Sequence, residues 1–329
     1  MSRRAGKWRP AVVAGAVALI GAVAPTTSGA GPKAVADPYA APGRQVFLAD
    51  HRKLNFRCSG QGSPTVILES GFGAGSNAWS AVQPLIAPVT RVCAYDRAGY
   101  GFSDPGPMPR DGAAIARDLD FGLKAAGIAG PYVVVGHSAG GLYARLFAAR
   151  RRRDVEGLVF VDSSVEHQSQ RLAALFGPGA GNLDGVRRHS ATCLEAALAP
   201  RAPASEAALL ECAPPTLSPP LRRVALRPET WRTQVSELDT LFTTTSDEVD
   251  RTNAVLRDIP AIVLTAAKGD GLVADDPGGA AWQGLHRGLA AGFHPGEQRL
   301  VKSSHMMMFD RPQVVADAAL SLVRKARRP

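Results

Sequence analysis

From residue 45 onward, short apolar or β-branched runs alternate with longer segments in which apolar residues recur at helical spacing. Gln45 to Ala49 and Leu54 to Cys58 predict a first hairpin, and Gly60-Gln-Gly-Ser-Pro64 turns the chain into a strand over Thr65 to Ser70. A glycine-rich loop, Gly71-Phe-Gly-Ala-Gly75, leads to a predicted helix near Ala78 to Ile86. A strand over Arg91 to Asp96, a loop with several glycines and prolines, and a helix over Ala113 to Ala126 follow. Tyr132-Val-Val-Val135 is too short to be a helix of its own and reads as a buried strand, with an alanine-rich helix over Leu142 to Arg150 behind it. Gly157-Leu-Val-Phe-Val161 is the next buried strand and ends in Asp162-Ser163-Ser164.

The alternation then stops between roughly Val165 and Arg257. That stretch is rich in Ala, Arg, Leu and Pro, carries helical spacing over Glu206 to Glu211 and Trp231 to Phe242, and contains no convincing strand. It predicts a mainly helical insertion. Alternation resumes with a strand over Ile259 to Thr265, a helix near Ala280 to Ala291, a strand over Gln298 to Val301 and a closing helix over Pro312 to Arg324. Repeated strand–helix units predict an α/β fold with a mostly parallel sheet and helices on both faces. The expected division is residues 1–36 as signal peptide and linker, 37–164 and 258–329 as the two parts of the core, and 165–257 as the helical insertion.

The first residues do not fit that pattern. Arg3, Arg4, Lys7 and Arg9 precede an apolar run from Ala11 to Ala24, followed by small residues at Ser28-Gly29-Ala30 and Ala34-Val35-Ala36. A short, Ala/Gly-rich run with basic flanks and two possible cleavage sites predicts a secretory signal; a retained membrane anchor is the lesser reading. Without residues 1–36 the formal charge of +9 falls, leaving 33 basic against 29 acidic residues. Such a mild balance predicts a solvated surface and no nucleic-acid footprint. In an exported chain the four cysteines are expected to pair, Cys58 with Cys93 and Cys193 with Cys212, because each pair stays within one structural region.

The chemistry centres on Gly136-His137-Ser138-Ala139-Gly140, between the valine strand and the alanine-rich helix. In a chain with 34 glycines the spacing alone says little, but the strand before and helix after are the context that a strained turn requires. Such a turn projects the Ser138 hydroxyl above the sheet edge and aims the N–H of Ala139 and the positive end of the helix at the same space. A serine hydroxyl needs a base, and the chain order serine, acid, histidine leaves the late histidines eligible. His305 follows a strand end and precedes a loop, whereas His286 lies within a helix and His294 in a turn, which predicts surface positions for both. His137 flanks the nucleophile without being its base. The acid must end a strand on the same edge. Asp162 is preferred, Asp270 is the alternative, and Asp275 and Asp276 are remoter candidates.

At this point the chain resembles the α/β-hydrolase fold family over almost the whole sequence after residue 36, outside the insertion. Glu69-Ser-Gly-Phe72 resembles its oxyanion loop, Asp96-Arg-Ala-Gly-Tyr-Gly-Phe-Ser103 its D-R-x-G-x-G-x-S segment, Gly136 to Gly140 its nucleophile elbow, and Ser304-His305 before Asp310-Arg-Pro312 its late histidine loop. The resemblance implies an eight-stranded sheet, a cap inserted between strands six and seven, and an oxyanion hole formed by the N–H groups of Phe72 and Ala139. It also implies an acid after strand seven, as Asp270 would be, although some members place it after strand six. Asp96 and Arg97 read as a loop-ordering ion pair, and Trp79 and Trp231 as packing residues. Met306 and Met307, with Met308, follow the base and either wall an apolar pocket or fill the core.

The expectation is a secreted serine hydrolase acting on a small, apolar carboxylic ester or similar acyl bond, with no cofactor and no metal, since neither zinc-ligand spacing nor a phosphate-binding loop is present in the sequence. C–C bond hydrolysis, acyl transfer and haloperoxidase-like chemistry are alternatives on the same triad. A non-catalytic binding protein on this scaffold is the remote one.

Overall fold

The computed structural model describes residues 38–267 and 277–328. Its strands are β1 (Arg44–Phe47), β2 (Lys53–Ser59), β3 (Thr65–Glu69), β4 (Val92–Asp96), β5 (Tyr132–His137), β6 (Val155–Val161), β7 (Ala261–Ala266) and β8 (Gly296–Val301). They form one eight-stranded sheet in the order β1-β2-β4-β3-β5-β6-β7-β8. β2 runs against β1 and β4, and the remaining pairings are parallel.

Every residue of β3, β4, β5 and β7 is buried, the signature of parallel strands covered on both faces. The two-residue period divides their side chains between two layers. Ile67, Val134, Leu158 and Phe160 pack with Leu119 of α2 (Gly112–Ala125) and Leu142 and Phe147 of α3 (Gly140–Arg150), after the short α1 (Gln83–Ile86). Val66, Leu68, Val133, Val135 and Val159 pack on the other side with Trp79 and with Val315, Ala319 and Val323 of the last helix, described below. The helix expected over Ala78 to Ile86 is broken into a 3-10 turn, Ser76–Trp79, and α1. Pro84 sits in the first turn of α1 and has no N–H with which to extend a helix from the turn before it.

Between β6 and β7 the described chain is helical: α4 (Gln168–Phe176), α5 (Asp184–Leu198), α6 (Pro203–Cys212), α7 (Pro219–Ala225), α8 (Pro228–Leu241), α9 (Thr244–Asp250) and α10 (Asn253–Leu256). Its helix α9 caps a core helix. Thr245 Oγ1 accepts from Gly112 N (2.9 Å), Glu248 Oε2 from Ala113 N (2.9 Å), and Asp111 from Ala114 N (2.8 Å). Three of the orphan N–H groups that open α2 are satisfied this way, two of them by the insertion. The chain closes with α11 (Pro277–Ala291), β8, α12 (Met307–Asp310) and α13 (Pro312–Ala326).

Both cysteine pairs are disulfides. Cys58 and Cys93 stand opposite one another in the β2–β4 ladder, and Cys193 links α5 to Cys212 at the end of α6. The parallel strands all end at one edge, where Glu69, Asp96, His137, Val161, Ala266 and Val301 are their last residues. In such sheets the carboxyl edge is where ligands bind, and the residues just beyond it are described next.

Candidate active site

Ser138 follows β5 directly and adopts φ 51°, a left-handed conformation that costs a non-glycine residue about 1–2 kcal/mol. Its surroundings hold it there. Ser138 N donates to Val161 O (3.2 Å), while its carbonyl accepts from Gly141 N (3.0 Å), Ser164 N (2.9 Å) and Ser163 Oγ (3.2 Å). The turn also requires small neighbours. A Cβ on Gly136 would lie 2.6 Å from the carbonyl oxygen of Gly140, and one on Gly140 would lie 2.6 Å from those of Glu69 and Ser70. These clashes explain both glycines of the Gly-x-Ser-x-Gly spacing: α3 starts close against β5 and the end of β3.

Asp162 follows β6 in the same way, at φ 41°, with its N–H on Leu264 O (2.8 Å). Its carboxylate collects three donors. Oδ2 accepts from His305 Nδ1 (2.7 Å), and Oδ1 from Ala266 N (2.9 Å) and from the Trp282 indole (2.8 Å). Burial alone would push this acid up, but the hydrogen bond and charge of His305, the charge of His286 and the indole bond outweigh it and hold the pKa down to about 2. An ionised partner at Nδ1 fixes the ring's tautomer with its proton on that side and the lone pair on Nε2. The imidazole is about one quarter exposed, so the ring is open to solvent exchange.

His305 rides on a loop braced at several points. Asp310 accepts from Ser304 N (2.7 Å) and Ser303 Oγ (3.3 Å), Arg311 donates to Lys302 O (2.9 Å), and the His305 carbonyl accepts from His137 Nε2 (3.0 Å). Burial first, and then the charge of His305, lowers the His137 pKa to about 3, so this ring is neutral and donates from Nε2.

The loop after β3 presses on the elbow. A Cβ on Gly71 would sit 3.0 Å from Ser138 Cβ and 2.8 Å from His137 Nδ1. Phe72 therefore leaves the sheet beside Ser138, with its side chain partly buried on the core. Ala139, the other expected oxyanion donor, is buried at the start of α3. Ser138, Asp162, His305, Phe72 and Ala139 thus share one sheet edge, whereas Asp270, Asp275 and Asp276 lie outside the described residues.

Some placements differ from those expected. Met307 and Met308 are fully buried in the layer under α13, so they fill the core and do not wall a pocket; Met306 is half-buried and packs on the same layer. His286 is fully buried, not on the surface, with its ring between Thr265 Oγ1 (2.8 Å) and Ser163 O (2.8 Å). Trp282 and His286, one turn apart on α11, back the Asp162 turn together, and with Leu289 they form an apolar stripe at helical spacing. That stripe was the available signal. Asp96 orders its loop without pairing to Arg97: it accepts from Ser76 N (2.7 Å), Asn55 Nδ2 (2.9 Å) and Phe102 N (2.9 Å). Arg97 turns instead to Glu69 and Glu237. Trp79 and Trp231 are buried packing residues, with their indoles on Ser70 Oγ (3.0 Å) and Ala225 O (2.8 Å). His189, Cys193 and Cys212 cluster closely enough to suggest a metal, but the two sulfurs are bonded to each other and offer no thiolate pair.

A parallel sheet that carries a serine elbow, a buried aspartate and a late histidine at one edge defines a nucleophile-elbow α/β protein. The model of the alpha/beta hydrolase family matches residues 66–318, and the chain belongs to that family. An AB hydrolase superfamily protein of Gibberella zeae is 36% identical over 113 residues, covering 33% of this chain and 35% of that protein. The matched stretches span between 15% and 45% of the length of the curated relatives. Among solved structures, the epoxide hydrolase CorEH superposes with a TM-score of 0.60 at 20% identity, over 86% of this chain and 99% of the other. An esterase from Exiguobacterium antarcticum superposes with a TM-score of 0.59 at 14% identity, over 86% and 99%. At these identities the likeness is one of fold.

Proposed function

We propose that the chain is an exported serine hydrolase that cleaves a carboxylic ester or similar acyl bond of a small, largely apolar substrate. The observation that carries the reading is the 2.7 Å bond from His305 Nδ1 to the ionised Asp162, at the same edge as the elbow serine. His305 Nε2 takes the proton of Ser138 as the oxygen attacks the carbonyl carbon. The resulting oxyanion lies between the N–H groups of Ala139 and Phe72, and His305 returns the proton to the departing alcohol. Water, activated by the same imidazole, then hydrolyses the acyl-enzyme. A neutral His137 next to the base adds no competing charge.

The fold is shared with both an esterase and an epoxide hydrolase, so the fold does not choose the reaction. The elbow residue does: in this family epoxide hydrolases carry aspartate where this chain carries Ser138, which favours acyl transfer to serine. Export is supported by the basic, apolar N-terminal pattern and by both disulfides, which persist in oxidising compartments. Among the described residues no helix is long and apolar enough to cross a membrane.

The test is a panel of p-nitrophenyl esters of rising acyl length, together with fluorophosphonate labelling, on the wild-type protein and on Ser138→Ala. The expected result is hydrolysis and labelling in the wild type, and a kcat lower by about 10⁴ to 10⁶ in the variant. Undiminished hydrolysis by Ser138→Ala refutes the mechanism.

A further inference from the structure

Arg97 is almost fully buried, and its guanidinium joins three parts of the chain. Nη1 donates to Glu69 Oε1 (2.9 Å) and to Ser70 O (2.6 Å). Nη2 donates to Gly71 O (2.9 Å) and reaches Glu237 Oε2 (3.4 Å), and Nε donates to Glu237 Oε1 (3.2 Å). The rings of Tyr100 and Tyr143 lie against it at 4.8 and 5.3 Å. Glu237 comes from α8 of the insertion, 140 residues away, and also accepts from the Tyr100 hydroxyl (3.0 Å).

The contact to Gly71 O has a directional consequence. The peptide between Gly71 and Phe72 is not among the cis bonds, so its C=O and N–H point in opposite directions within one plane. Holding that carbonyl fixes where the Phe72 N–H points, and this is the N–H assigned above to the oxyanion. A guanidinium is a rigid planar fork, so its angle follows from what holds its other edge. That edge is held by Glu237. One turn earlier on α8, Thr233 packs on Gly99 so closely that a Cβ there would lie 2.1 Å from its Oγ1, which seats α8 directly on the loop after β4.

From this geometry we infer that Glu237 is a positioning residue: acting through Arg97, it sets the angle of the Gly71–Phe72 peptide and ties the seating of the helical insertion to oxyanion binding. The inference rests on the serine hydrolase reading for its kinetic consequence, but the coupling itself is visible without turnover. Glu237 does not touch the substrate in this scheme, so it governs kcat and leaves KM alone.

Two variants that keep a polar group at the position separate reach from charge. Glu237→Asp retains the charge but is one methylene short of Arg97; Glu237→Gln retains the length and one acceptor for Nε. Glu237→Asp should lower kcat on a p-nitrophenyl ester by roughly ten- to a hundredfold with KM within about twofold, because a small misplacement of an oxyanion donor is costly. Glu237→Gln should stay within about threefold of wild type. Selective 15N-phenylalanine labelling supplies the second readout: the Phe72 amide resonance should move in Glu237→Asp and stay near its wild-type position in Glu237→Gln. An unmoved Phe72 amide in Glu237→Asp overturns the inference, as does a rise in KM with kcat unchanged. If the wild type turns over no ester, the hydrolase reading has failed, and the amide spectra still decide whether Glu237 reaches the loop.

Discussion

His137 and His305 are separated by 168 residues, yet the Nε2–H of the first donates to the carbonyl oxygen of the second at 3.0 Å, with the ring centroids 4.7 Å apart. His137, next to Ser138, thus holds the backbone of His305. Among the described residues the other ring nitrogen, Nδ1, has no hydrogen-bond partner, and the backbone of Gly71 closes over it. A neutral imidazole has only one N–H, and here it is committed to the His305 loop.

Replacing His137 should therefore disturb catalysis with little effect on substrate affinity. His137→Leu keeps an apolar side chain in the pocket but leaves the His305 carbonyl without its donor. We expect a kcat lower by roughly tenfold with KM within about twofold, since the shift acts on the base and not on the substrate. Steady-state kinetics on a p-nitrophenyl ester decide it; an unchanged kcat would show that the loop is held well enough by Asp310.

The acid is tested by amide substitution. Asp162→Asn keeps the shape but lets the imidazole adopt the wrong tautomer, which in a serine protease costs about 10⁴ in kcat. Asp162→Asn should fall by a comparable factor, and Asp270→Asn should retain activity within about threefold. A reversed ranking would move the acid to the segment after β7.

Trp282 offers a graded version of the same test. Its indole supplies one of three hydrogen bonds to Asp162. Trp282→Phe fills most of the same volume without the donor, so kcat should drop roughly threefold to tenfold while folding is retained, the loss expected for about 1 kcal/mol of one hydrogen bond. Activity equal to wild type would mean that the Ala266 N–H and His305 alone hold the carboxylate.

Much of this site was legible in the sequence because its signals are local. The valine run, the turn glycines and the serine sit within a few residues of one another, and β3 to β6 are apolar runs of strand length. Asp162 could be put at the sheet edge because it directly follows an unambiguous strand. What escaped depends on contacts across the chain. Nothing near Glu237 shows that it meets Arg97, since the two are 140 positions apart and join only when α8 folds onto the loop after β4. From the sequence His286 reads as a helix residue facing water because a histidine's polarity hides its place in an apolar stripe; its two hydrogen bonds, to Thr265 and Ser163, are what make burial tolerable. The methionines after His305 were ambiguous for the opposite reason, as apolar residues suit a core and a pocket equally well.

The last prediction concerns acid stability and follows from which groups fold in which protonation state. Burial lowers the pKa of His137 from 6.5 to about 3 and also lowers that of His286. A folded state that refuses a proton which the unfolded chain accepts is most stable above pH 6.5 and loses that contribution as pH falls toward the folded pKa. Asp162, lowered from 3.8 to about 2, acts in the same sense in the lower window between those two values. Glu69 opposes them: burial raises it from 4.5 to about 7, so its contribution is present below pH 4.5 and lost as pH rises toward 7. For His137 alone the loss at pH 4.5 is roughly 3 kcal/mol at 1.4 kcal/mol per pH unit. Urea unfolding midpoints measured from pH 7.5 to 4.5 should therefore slope less steeply with pH in His137→Gln than in the wild type, because glutamine cannot take up the proton that pulls the unfolded state ahead. Equal slopes in the two proteins would show that His137 is not held neutral inside the fold.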